Sequence, residues 1–143
     1  MSVRVGDMVK WTLVWSLCLA FPLLLSACVR LNVDLSELYG TYLAEYSFGT
    51  EKIMLRENGD YVQEVTIISL NKTITHSGEW SYDPDTERVN LKRCLSVNDG
   101  FGRLRDRYST PLEGGCSLPV ERRFFLFGQL RLGPDEGNPY YKL

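Results

Sequence analysis

From Gly40 onward, polar and apolar residues alternate with a period of two, in short runs separated by turn-forming clusters. This pattern limits the fold more than any other feature, because side chains alternate faces along a strand but repeat near every 3.6 residues along a helix. Tyr42, Ala44, Tyr46 and Phe48 alternate with Thr41, Leu43, Glu45 and Ser47. Gly49-Thr50 breaks the run, after which Ile53 and Leu55 face one way and Lys52, Met54 and Arg56 the other. Glu57-Asn58-Gly59-Asp60 is a hairpin turn, since Asn-Gly accepts the positive φ that a tight turn demands. Residues 61–70 are rich in β-branched side chains and read as the return strand. After a turn at Asn71-Lys72, residues 73–80 put Ile74, His76, Gly78 and Trp80 on one face. Asp83-Pro84-Asp85-Thr86 is turn chemistry, and residues 88–92 form a short strand with Val89 and Leu91 inward.

Between Cys94 and Cys116 the period disappears into a stretch holding Gly100, Gly102, Pro111, Gly114 and Gly115. Strands are expected again at 122–127 and 129–132, with Gly128 as a bulge or bend between them. A turn through 133–139 leads to a last strand at 140–143. Residues 35–38 can make one helical turn over a barrel end. The expected fold is all-β, an antiparallel meander barrel or sandwich of roughly seven or eight short strands with one irregular loop.

The succession Gly40-Thr41-Tyr42, Leu55 with Asn58-Gly59-Asp60-Tyr61, Gly78-Glu79-Trp80 and Val89-Asn90-Leu91 resembles the small lipocalin-like lipoproteins of bacteria. In that family such a progression marks successive strands of a meander barrel. The resemblance spans residues 38–92 and implies that the glycines make sharp bends while the tyrosines and tryptophan fill the barrel. The long loop between the cysteines departs from the family pattern. A shared fold does not fix a shared ligand.

Ahead of the alternating region lies a leader. Arg4 and Lys10 precede the apolar run WTLVWSLCLAFPLLL at 11–25, followed by Ser26-Ala27-Cys28. A basic start, a short apolar stretch and a small-residue exit form the secretory signal layout. As a helix the run would reach about 22 Å at roughly 1.5 Å per residue, short of the ~20 apolar residues that a bilayer span needs. Pro22 would also kink it. Leu25-Ser26-Ala27-Cys28 resembles the bacterial lipobox. The resemblance implies a diacylglycerol thioether on Cys28 and cleavage just before it. In many bacteria the new amino group is acylated too. Two or more acyl chains hold a protein on a membrane where one holds only marginally. Val29 is not acidic, which by the same resemblance points to the outer membrane of a Gram-negative cell; a Gram-positive source would place the chain on the plasma membrane. The expected organisation is a signal peptide at 1–27, a lipidated tether at 28–38 and a barrel-like domain at 39–143.

Once the leader is gone and Cys28 is lipidated, Cys94 and Cys116 remain as a single pair. Exported domains sit where disulfides persist, and two thiols allow one connectivity. Closing a loop of about 23 residues would stabilise the fold by roughly 3 kcal/mol on the chain-entropy model. A reactive or metal-binding pair is the weaker alternative, because neither Cys has a His or another Cys near it in sequence.

The formal net charge of −2 gives no reason to expect nucleic acid as a partner. Even so, Arg93, Arg103, Arg105 and Arg107 gather around the irregular loop with Arg88 and Lys92, and Arg122 and Arg123 follow it. They could meet an envelope protein or an anionic envelope component. Asp99, Asp106, Glu113 and Glu121 could equally balance them as a solvated face, the reading that sequence alone favours. Tyr42, Tyr46, Tyr61 and Trp80 could line a ligand cavity, though in a small barrel such residues more often fill the interior.

Catalytic constellations are not evident. His76 is the only histidine, and zinc would find no ligand set around it. No Gly-x-Ser-x-Gly elbow is present. Asp83, Asp85 and Glu87 alternate as in a calcium loop, but Arg88 stands where that loop requires glycine. No metal or cofactor is expected. The leading expectation is a non-enzymatic, membrane-anchored interaction module; the alternative is a lipocalin-like carrier of a small apolar or amphipathic ligand.

Overall fold

The computed structural model describes residues 33–124, 127–133 and 138–143. The leader, Cys28 and Val29 lie outside the described residues. Eight strands follow one helical turn, α1 (Leu35–Leu38): β1 (Gly40–Tyr46), β2 (Gly49–Leu55), β3 (Asp60–Ile67), β4 (Lys72–Asp83), β5 (Arg88–Leu91), β6 (Cys116–Phe124), β7 (Phe127–Leu132) and β8 (Tyr140–Lys142). Each strand pairs antiparallel with the next, and β8 returns to β1, closing a barrel. The all-β expectation thus resolves to a barrel rather than a sandwich, and closure leaves no long unpaired sheet edge to template association.

The inward positions are those the alternation marks. Tyr42, Ala44, Ile53, Leu55, Tyr61, Val89 and Leu91 are buried, joined by Leu118, Val120, Leu130, Leu132 and Tyr140 from the second half of the barrel. The helical turn closes one end of the barrel. Asp34 caps it through Ser36 N at 3.1 Å, Leu38 enters the core, and the Tyr42 hydroxyl donates to the Leu38 carbonyl at 2.9 Å. Arg122 and Lys142 reach it from β6 and β8, each 2.5 Å from an oxygen of Glu37.

At the same end, the Arg56–Gly59 connection turns through Gly59 at φ 84°. Trp80 fastens it, donating from Nε1 to the Arg56 carbonyl at 2.9 Å and from its backbone N–H to the Gly59 carbonyl at 2.8 Å. Gly78 is required where β4 passes Tyr61. A Cβ there would lie 2.7 Å from the Lys92 carbonyl oxygen and 2.8 Å from the Tyr61 ring. The space it leaves lets the Tyr61 hydroxyl donate to that same carbonyl at 2.9 Å.

Several boundaries differ from the sequence expectation. The third strand ends at Ile67, and Ile68–Leu70 form a 3-10 turn closed by Asn71 at φ 45°. The chain leaves the ladder because the Ile68 N–H bonds to the Phe48 carbonyl at 2.9 Å. Strand β4 is longer than 73–80, since it is shared: residues 72–79 pair with β3 and 80–83 with β5. Strand β6 begins at Cys116 rather than residue 122, with Pro119 accommodated opposite Arg88. Between Arg122 and Phe124 the register shifts so that Gly128 and Gln129 oppose one residue of β6. The expected bulge at Gly128 is therefore present, at φ 113°, but it lies inside β7 and not between two strands, since β6 ends at Phe124 and β7 begins at Phe127.

Candidate functional site

The chain enters the barrel beside α1. The opposite end, built from the β1–β2 and β3–β4 turns, is covered by the loop between the cysteines. Cys94 and Cys116 are disulfide-bonded with Cα atoms 5.7 Å apart. Past Cys94, the loop tucks Leu95 and Val97 into a second core cluster with Val65 and Ile67, flanked by Tyr46, Phe48, Ile74, Leu104 and Tyr108. Gln63, buried on β3, stitches it to the wall: its Nε2 donates to the Leu95 carbonyl at 2.8 Å, and its Oε1 accepts from the Leu95 N–H at 2.7 Å. The irregular segment is thus a lid, fixed by backbone hydrogen bonds from a core side chain.

The outer tip of the lid is equally defined. Asn98 pairs with Leu104, and the Asp99 carboxylate accepts from Phe101 N at 2.8 Å and Arg103 N at 3.1 Å. Those backbone bonds hold the Asp99 carboxyl below the usual carboxylate range. Ser47 ties the tip to the β1–β2 turn by donating to the Gly102 carbonyl at 3.1 Å. Phe101 projects from this frame 88% exposed, and Arg103, Arg105 and Arg107 are exposed beside it.

The acids that could balance these arginines are partly engaged elsewhere. Glu121 accepts from Arg131 Nε at 2.6 Å, and Asp99, whose carboxylate accepts from the loop backbone, also feels the charge of Arg103. Among the described residues no ion pair reaches Arg103, Arg105 or Arg107. Arg93 is exposed at the neck of the loop. Arg122 stands apart, paired with Glu37 at the α1 end. Arg123 lies in β6, and its side chain is outside the described residues.

Beneath the lid the barrel holds a pocket of about 150 Å³, lined by Tyr46, Glu51, Tyr140, Leu118 and the 95–98 segment. Of the tyrosines and tryptophan considered as cavity lining, only Tyr46 borders this pocket; Tyr42 and Tyr61 pack in the core, and Trp80, also part of the core, borders a separate groove over β4, β5 and β6. Glu51 sits at an inward position of β2 and is 2% exposed. Its Oε1 accepts from Gln63 Nε2 at 2.5 Å, and its Oε2 accepts from the Tyr46 hydroxyl at 3.2 Å. The Tyr140 hydroxyl lies 3.4 Å from that of Tyr46. Burial pushes the pKa of the Glu51 carboxyl upward, opposed by hydrogen bonds from Gln63, Tyr140 and Tyr46 that favour the charged form. Burial, with the Glu51 carboxylate next, raises both tyrosines as well.

A larger groove of about 270 Å³ runs over β4, β5 and β6, but its charged groups, Glu79 and Lys92, are exposed and neutralise each other at 2.6 Å. The chemistry concentrates under the lid instead. His76 is half-buried with its ring edge-on to Tyr61, centroids 6.2 Å apart. Asp83 closes an Asx turn on Asp85 N at 2.9 Å and Thr86 Oγ1 at 2.8 Å.

Sequence reasoning missed Glu51 and Gln63. The signal was available: Glu51 is in phase with Ile53 and Leu55, and Gln63 with Tyr61 and Val65, so each is a polar residue on an inward face. Fold and site together define a class, a small closed antiparallel barrel whose one end is lidded over a pocket that holds a buried carboxyl. No family model, no curated protein and no solved structure matches the chain.

Proposed function

We propose that this chain is a non-enzymatic lipoprotein of the cell envelope, tethered through Cys28 to the outer membrane, and that the lid is the surface with which it holds an acidic partner protein. The observation that carries the reading is the tip of the lid. An aromatic side chain and three arginines without ion-pair partners among the described residues stand out from a loop ordered by the disulfide, Gln63, Asp99 and Ser47. Aromatic and arginine side chains supply most interface hot spots, and a pre-ordered loop loses less conformational entropy on binding.

The described chain enters the barrel at the α1 end, opposite the lid. Among the described residues no helix is long and apolar enough to cross a membrane. The test is a pull-down from envelope extract with the Arg103→Ser/Arg105→Ser/Arg107→Ser variant. Loss of the captured protein, together with weakening of wild-type capture by salt, is the expected result. Unchanged capture removes the lid from the proposal.

A second reading, a carrier of a small ligand, is favoured by the pocket against Glu51.

A further inference from the structure

We infer that the pocket beneath the lid is a binding site for a small organic ammonium ion, received by the Glu51 carboxylate between Tyr46 and Tyr140. The inference goes beyond the anchor and the arginine surface and depends on neither.

Charge is the first argument. Glu51 is buried in the barrel wall, yet among the described residues no Lys, Arg or His pairs with it. The groups packed around it are Tyr46 on β1, Gln63 on β3 and Tyr140 on β8, with the Leu95 backbone held beyond Gln63. All are dipoles rather than counter-charges. A carboxylate in low dielectric without a cation is strongly disfavoured. It must keep its proton or take a cation from outside, and it borders a pocket through which a cation could arrive.

Size and lining narrow the class. A cavity of about 150 Å³ is large enough for a benzene-sized molecule, so the site suits an ammonium carrying a few carbon atoms. Leu95, Val97 and Leu118 provide apolar wall, and Tyr46, stacked on Phe48 with centroids 4.9 Å apart, adds an aromatic one. A carboxylate with aromatic and aliphatic walls is the recognition chemistry of alkylammonium groups. An anion would meet the Glu51 charge, and a neutral ligand would supply no counter-charge, leaving the carboxyl to keep its proton.

Gln63 makes the site a coupled one. A single amide holds the carboxylate at 2.5 Å and both backbone groups of Leu95. Occupancy that fixes Glu51 therefore also fixes the lid.

The test is calorimetric titration of the purified full chain with tetramethylammonium chloride, and with tert-butanol as an uncharged molecule of similar shape. The expected result is binding of the cation and none of the alcohol at the same concentration. Cation binding should release protons, detectable as a dependence of the heat on buffer ionisation enthalpy. Affinity should rise with pH while Glu51 holds its proton, by at most about tenfold per pH unit. Glu51→Gln, which keeps the size and can still bond Gln63, should weaken cation binding by at least about tenfold and abolish its pH dependence. The wild-type pH series decides the matter should that variant fail to fold. Equal binding of alcohol and cation, a pH-independent affinity, or no heat with either probe overturns the inference. Each of these results leaves the Cys28 anchor and the arginine surface as they stand.

Discussion

Reducing the Cys94–Cys116 disulfide removes a cross-link while leaving every atom of the folded core nearly in place. The cysteines are 22 residues apart in sequence. On the chain-entropy model a loop of that length is worth about 3 kcal/mol, acting through the unfolded ensemble. At roughly 4 °C per kcal/mol for a domain of this size, Tm should fall by about 12 °C. Urea titrations followed by far-UV circular dichroism, with oxidised and reduced protein side by side, measure the change as a lower midpoint. The slope should rise, because the unlinked chain exposes more surface on unfolding. Replacing both cysteines by Ala should cost about 1 kcal/mol more than reduction, since Cys94 is buried in the core. Hydrogen exchange then separates two mechanisms. If the cross-link acts on the unfolded state, the Leu95 amide, held by Gln63 at 2.7 Å, keeps its protection relative to its core neighbours after reduction. Coincident urea transitions for the two forms would refute the entropy argument, and fast exchange at Leu95 alone would show that the lid opens locally instead.

Three further outcomes follow from the barrel. Tyr61→Phe removes the donor to the Lys92 carbonyl and should lower stability by about 1–2 kcal/mol in urea titration. In the native protein burial holds the Tyr61 hydroxyl to about 12, so its protonated form is favoured by folding. Its contribution is complete below pH 10 and is lost as pH rises from 10 toward 12, which alkaline difference absorbance should show and Tyr61→Phe should reduce. Gly78→Ala places a methyl against backbone and ring and should destabilise by about 2–3 kcal/mol; a fully tolerated alanine would mean that β4 does not pass Tyr61 this closely. Glu51→Gln should stabilise the unliganded fold at neutral pH. The raised pKa of Glu51 makes its contribution full below its unfolded value near 4.5 and lost as pH climbs through the folded value. Urea midpoints compared across that range should diverge with rising pH, and parallel profiles would contradict a buried, proton-retaining carboxyl.

Strand identity was readable wherever alternation ran clean. β1 and β2 follow directly from Tyr42, Ala44, Ile53 and Leu55, and the β2–β3 hairpin follows from Asn58-Gly59. The first half of β6 was obscured because Pro119 and Ser117 hide the alternation of Leu118 and Val120. A strand forms there because β5 and β7 supply its pairing, which no local pattern encodes. The break at Gly49-Thr50 hid Glu51 in the same way. Read from Ile53 backwards it falls on the inner face, but burial of a carboxyl runs against propensity and is tolerated only because Gln63, Tyr46 and Tyr140 reach it from three other strands. The seating of the 95–104 segment over the barrel is non-local throughout. Spacing shows that cysteines can close a loop, not where the loop comes to rest.

The proposed location rests on the thiol of Cys28. Intact-mass and terminal-peptide mass spectrometry of the chain isolated from bacterial envelope tests it directly. The account predicts a polypeptide beginning at Cys28 and carrying the mass of a diacylglycerol thioether. A chain retaining Met1, or an unmodified cysteine at position 28, would contradict it.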